Sequence, residues 1–311
     1  MKILRFCKFL LLPFFLFGTV SLAFPVTPIP ADPGQILSWP QTTWRDSRFE
    51  VFSWDRFPEI LIFDTATFDI QARLFKRLAF FVEKAGFRGR LPPDEEIANL
   101  HGWNAHNYRA EDLARFFQAA RDSNFPLLDE EWELEYILFR HGILRWDSQY
   151  GISPGTGAVL SLSREASHSS LRPRFMAHEV FHGLFFIDED FRTFSSQRWA
   201  ALPEYVKTFF LVWLENQAYD INDEYLVVNE FMAHILQFTV ANASWYFGEH
   251  LPNLVLERSP QNIAYLPARE TRTREGRRFW PELAEIFTRE SEAFSAYVNR
   301  RWSLAAGRAW R

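Results

Sequence analysis

The stretch FMAHEVFHGLFF, residues 175–186, is apolar nearly all the way round a helix, yet it carries His178, Glu179 and His182. A helix of that kind belongs in a core. Two histidines and a glutamate are costly to bury there without a partner. Positions i and i+4 of a helix share one face, so the two imidazoles can bind one metal ion. Glu179 then stands beside them, placed to take a proton from a water. The spacing His-Glu-x-x-His predicts a metal site with zinc as its cofactor, in preference to a pair of hydrogen-bonded core histidines.

A catalytic zinc usually has three protein ligands, and the carboxylates downstream offer two choices. Asp188 lies six residues after His182. An extended HExxHxxGxxH/D pattern puts its third ligand there. That pattern turns the chain at a glycine, and Phe185 occupies the glycine position here. Glu230 sits in the middle of VVNEFMAHILQF, residues 227–238, a second apolar helical stretch. A lone glutamate in such surroundings calls for a cation. Glu230 is preferred, with Asp188 as the alternative.

The pair of motifs, His178-Glu179-x-x-His182 and Glu230-Phe231-Met232-Ala233, resembles the gluzincins, zincin metallopeptidases whose third ligand is a glutamate on a second helix. The E-F-x-A stretch is similar to that of lethal-factor-like peptidases and related bacterial enzymes, and the likeness spans about residues 155–240. It implies a zincin-like lobe with an active-site helix, a glutamate helix and an upstream edge strand that pairs with the substrate backbone. AVLSLS, residues 158–163, falls where that strand is expected, and strand addition of this kind holds an extended peptide. The resemblance also implies a catalytic tyrosine shortly before the ligand glutamate. Tyr225 is near that position, with Tyr219 as the other option. Tyr246 and His250, after the glutamate helix, are further candidates for stabilising the oxyanion. Many gluzincins carry an acid four residues after the ligand glutamate, and His234 stands there instead, as a partner of the site or a half-buried histidine.

Around these motifs the pattern reads as α+β, mostly helical with a small sheet. EILIF (59–63) predicts a strand, and Asp64, Thr65 or Thr67 can cap a helix over 69–84 with Leu74, Leu78, Phe81 and Val82 as its stripe. Further helices are expected over 110–120, 132–139, 172–186, 203–217, 223–239 and 279–300. Serines at 167–170 before Pro173 suit a helix start, and GISPGTG (151–157) is a turn-rich breaker. We expect a signal peptide over residues 1–23. Lys2, Arg5 and Lys8 precede a short apolar run, and small residues lead to a cut after Ala23. A proline-rich arm is expected over 24–50, a helical N-terminal portion over 51–150 and the metallopeptidase portion over 151–311.

The only cysteine is Cys7, inside the expected signal segment. A mature chain starting after Ala23 would offer neither disulfide nor thiol nucleophile. A net charge of −5 gives no basic footprint for nucleic acid. No stable membrane span is expected once the signal is cleaved. The 33 Phe and 12 Trp point to an aromatic core, with a sugar- or peptide-binding surface as the alternative. The run of arginines over 269–278 reads as a solvated face, or as a receiver for a substrate carboxylate. The expected function is therefore an exported, periplasmic or extracellular, zinc metallopeptidase acting on a peptide or protein. The alternative is a catalytically inactive zincin-like binding or scaffold protein of the cell envelope. Nothing in the sequence sets an oligomeric state.

Overall fold

The proline-rich segment is built into the fold instead of trailing as an arm. Strand β1 (Ile29–Ala31) runs parallel to β2 (Phe49–Trp54), and helix α1 (Pro33–Ser38) starts on Asp32, whose carboxylate accepts the Gly34 N–H at 2.8 Å. Ala31, Pro33 and Ile36 are buried, so the apolar residues between the prolines supply the anchorage. The structure, a computed structural model, describes residues 27–165 and 171–310. The expected signal segment and the serine cap at 167–170 lie outside the described residues.

β2 turns back into β3 (Phe57–Thr65), and Thr67 caps α2 (Phe68–Val82) by accepting the Ile70 N–H at 3.2 Å. A short helix α3 (Asp94–Ile97) leads to β4 (Ala105–Arg109), then α4 (Ala110–Asp122) and α5 (Asp129–Arg140). The breaker at 151–157 is half strand: β5 (Leu144–Asp147) and β6 (Gly151–Pro154) form a hairpin before β7 (Ala158–Ser163). Four helices follow: α6 (Leu171–Ile187), α7 (Glu189–Ala200), α8 (Glu204–Asn216) and α9 (Glu224–Leu236). Next, α10 (Val240–Trp245) passes through a single π turn (Tyr246–His250) into α11 (Leu251–Arg258). A small hairpin of β8 (Thr271–Arg272) and β9 (Arg278–Phe279) precedes α12 (Pro281–Trp302). The molecule is mixed α+β and mostly helical, as the periodicity predicts.

The main sheet has the order β1-β2-β3-β7-β4. β7 runs parallel to β3 and antiparallel to β4. This corrects one expectation: β7 is an interior strand, hydrogen-bonded on both sides, and the edge strand is β4. It also joins strands from both sides of residue 150 in one sheet.

Alternation along the strands loads both faces of the sheet. Phe52, Ile60, Ile62, Leu160 and Leu162 pack into one core with α6 and α9. Phe49, Val51, Leu61, Phe63 and Val159 pack into a second core with α2, α4 and α5. Phe and Trp dominate the largest fully buried side chains.

Candidate metal centre and cleft

Helix α6 lies on the sheet face next to α9, and its apolar circumference is satisfied on all sides. Gly183 lets it approach closely: a Cβ there would stand 3.1 Å from Ile60 Cδ1 and 3.4 Å from Leu160 Cδ1. One turn apart on this helix, His178 and His182 bring their Nε2 atoms to 2.9 Å. Across from them on α9, Glu230 puts Oε2 at 3.5 Å from His178 Nε2 and Oε1 at 3.6 Å from His182 Nε2. The three residues each offer one ligand atom within 4.8 Å of the others, a group that can hold a metal ion.

The donor set fits a small divalent cation. In a tetrahedral site with bonds of about 2.0–2.1 Å, ligand atoms lie roughly 3.3 Å apart. The Nε2–Nε2 separation of 2.9 Å and the imidazole–carboxylate separations of 3.5 and 3.6 Å, the latter two to different oxygens of Glu230, lie around that value. Burial, reinforced by Arg174, pushes the His178 imidazole down to about 3, and burial pushes His182 down to about 4 against the pull of Glu230. Both rings are therefore neutral, which is the form that ligates a metal. Burial also raises Glu230 above the ordinary carboxylate range, with His182 and the Tyr219 hydrogen bond opposing it. Glu230 Oε2 is buried without a hydrogen bond, as are the Nδ1 atoms of both histidines. Asn229 and Gln237 approach His182 and His178 without regular hydrogen-bond geometry at those Nδ1 atoms. A buried carboxylate facing two neutral imidazoles lacks positive charge, and a cation would supply it.

Glu179, 3% exposed, projects from α6 beside the cluster and accepts a hydrogen bond from Asn107 Nδ2 at 3.0 Å. Asn107 lies on β4, so the edge strand itself anchors the carboxylate. Burial raises Glu179 well above its usual range; the Asn107 hydrogen bond opposes this, and the neighbouring Glu230 and Glu83 carboxylates add to it.

No protein-family model matches this chain, and no curated protein or solved structure does.

His178 and Glu179 open into a cleft of about 430 Å³ whose walls include Trp103, Tyr219, Tyr246 and His250. Tyr219 stacks on Trp103 with ring centroids 4.6 Å apart, and Lys84 Nζ sits over the other side of the pairing, 3.1 Å from the Trp103 centroid. The Tyr219 hydroxyl reaches Glu230. Tyr246 turns its hydroxyl to His234 Nδ1 and Gln237 Nε2, each at 3.2 Å. His234 stands behind the metal ligands, with Nε2 3.9 Å from Glu230 Oε2 and its ring edge-on to His178 at 5.2 Å. His250 stacks on Trp245 at 5.0 Å and lines the cleft.

Tyr225 is elsewhere. Its ring lies under Arg109 at 4.0 Å and against Phe185 at 5.2 Å, in a separate narrow groove with Asn229. Burial pushes its hydroxyl up to about 12, against the pull of Arg109. The helical turn between residues 225 and 230 carries the two side chains to different sides of α9. Asp188, the alternative third ligand, caps α7 by accepting the Phe191 N–H at 2.8 Å and pairs with Arg301 at 2.6 Å. The arginines at 277 and 278 pair with Glu249 and Glu270 and do not line the cleft. Asn107 and Arg174 also neighbour the cluster and the cleft, and the sequence assigns them no role. His101, Trp103 and Asn104 of the loop before β4 reach the cleft, whereas nothing in the composition of β4 marks Asn107.

Proposed function

We propose that this chain is an exported zinc-dependent peptidase, with His178, His182 and Glu230 holding the metal. The observation that carries this reading is the convergence of three ligand-type side chains, His182 and Glu230 buried and His178 at the cleft, beside a fourth side chain, Glu179, that is free of the cluster and held by Asn107. Zinc supplies two things when bound: it acidifies a water and polarises a carbonyl. Glu179 then receives the proton from the attacking water and passes it to the leaving amine. Its burial suits that exchange, because a carboxylate pushed above its usual range holds a proton more readily. Tyr219 lines the cleft beside Glu230 and is the closest tyrosine for stabilising charge on the carbonyl oxygen, with His250 and Tyr246 further along the same wall.

The edge position of β4 supports a peptide as the substrate. β4 is hydrogen-bonded to β7 alone in the sheet, and Asn104 just before it and Ala105, its first residue, line the cleft. An extended chain laid along that edge reaches Glu179 through the strand that anchors it.

The test is zinc per chain in the purified protein and in three variants, together with hydrolysis of a peptide library. We expect one zinc in the parent, loss of zinc in Glu230→Ala, and retention in Asp188→Ala. Glu179→Gln keeps its zinc and loses turnover by a factor of about a thousand or more, since removing a central catalytic group costs on this order. A parent that takes up no zinc after reconstitution, or a Glu179→Gln variant that still turns over, overturns the proposal.

A further inference from the structure

Among the described residues the cleft is lined by two arginines, Arg174 and Arg258, and by no carboxylate other than Glu179. That runs against the chain's composition, in which 39 Asp and Glu outnumber 34 Lys and Arg. Elsewhere acids and arginines find each other: Arg77 pairs with Glu131 at 2.9 Å, Arg198 with Glu290 at 2.7 Å, and both Arg164 and Arg172 with Asp64. Among the described residues no carboxylate pairs with Arg174. Arg174 precedes His178 by one helical turn and so shares its face of α6. Its guanidinium is steadied over the rings of Phe238 at 5.4 Å and Phe175 at 5.7 Å. Arg258 gives one N–H to the Asn216 carbonyl at 3.0 Å and is otherwise exposed at the cleft rim.

A planar guanidinium with free N–H groups, backed by aromatic faces, is shaped for a carboxylate. We infer that Arg174 receives a carboxylate of the substrate, so that this cleft selects peptides carrying a negative charge close to the bond that is cut. The charge has two possible sources: the α-carboxylate of a chain end, or an Asp or Glu side chain inside the peptide. The inference rests on the peptidase reading for the cutting but not for the binding.

Three short synthetic peptides of one neutral sequence, dansyl-labelled at the N-terminus, separate these cases. The first ends in an amide, the second in a free carboxylate, and the third ends in an amide but carries one glutamate at its centre. Binding is read by dansyl fluorescence on Glu179→Gln, which keeps the cleft intact without turnover, and again on Glu179→Gln combined with Arg174→Gln or Arg174→Lys. Cleavage by the parent is followed separately by mass spectrometry, and zinc content checks each variant.

We expect one carboxylate peptide to bind about tenfold or more tightly than the amide, the scale of one charge-assisted hydrogen-bonded pair. Arg174→Gln brings that ratio towards one, and Arg174→Lys keeps part of it. Preference for the second peptide identifies a chain-end carboxylate, and preference for the third an internal acid. Equal binding of all three, or a preference that survives Arg174→Gln, overturns the inference even if the parent cleaves peptides. A parent that cleaves none of them and holds no zinc removes the peptidase reading, while the binding ratio still decides the role of Arg174.

Discussion

Asn107 ties the sheet to the chemistry through one hydrogen bond to Glu179. In the proposed peptidase it would be a positioning residue, since it touches Glu179 and none of the three candidate ligands. Hydrogen bonds to charged groups contribute about 1.5–3 kcal/mol, so Asn107→Ala should lower kcat by about 10- to 100-fold. KM and zinc content should stay near the parent values. An unchanged kcat would show that Glu179 needs no such anchor. The motif residues themselves are legible in the sequence, because helical spacing is local and fixes His178 against His182 directly. Which tyrosine faces the site is not. Tyr219 follows Ala218, whose φ of 63° is in the left-handed region. The backbone at residues 218–220 pairs with the end of α2 through Ala85 and Glu83. That contact swings Tyr219 into the cleft, and no spacing rule contains it.

The two ligand-bearing helices are the elements that sequence reasoning reads best. α6 and α9 are continuous, apolar and long enough to announce themselves, and each carries polar residues of the group that can hold a metal ion. β4 is the opposite case. AHNYR is short and half polar, and its central residues His106, Asn107 and Tyr108 are buried where β7 pairs with them from 51 to 55 positions away. The helix α7 is likewise hidden, since FRTFSSQRWA lacks a clean apolar stripe. The seat of α6 on the sheet offers a direct test. Valine at Gly183 would drive methyl groups into Ile60 and Leu160, which already stand at contact distance from a bare Cβ. Gly183→Val should cost about 1–3 kcal/mol, read as a lower urea midpoint with an unchanged slope. A midpoint equal to the parent's would mean that the helix rides further from the sheet than described.

At the scale of the molecule, acid should weaken the fold partly through His106. This histidine is 2% exposed, stacks on Phe75 at 5.4 Å and shares a hydrogen bond with Tyr108 Oη at 2.9 Å. Burial, with Lys84 and His101 nearby, pushes it from 6.5 down to about 3. The unfolded chain takes up a proton below about pH 6.5 that the folded chain refuses. Its contribution is therefore complete above that range and is lost as pH falls towards 3. The slope is at most about 1.4 kcal/mol for each pH unit. The drop in urea midpoint between pH 7 and pH 5 should be smaller in His106→Gln than in the parent. Equal drops would assign the acid sensitivity to other groups. The order in which the main sheet is laid down has a further consequence. β4 cannot take its place until β7 has been made and slotted beside β3, and the last metal ligand, Glu230, follows still later in the chain. A chain partly synthesised or partly threaded, short of α9, thus lacks the complete set of candidate ligands. The enzyme we propose would be harmless to the cell that makes it until most of its length has been delivered and folded, with no inhibitory segment required to keep it so.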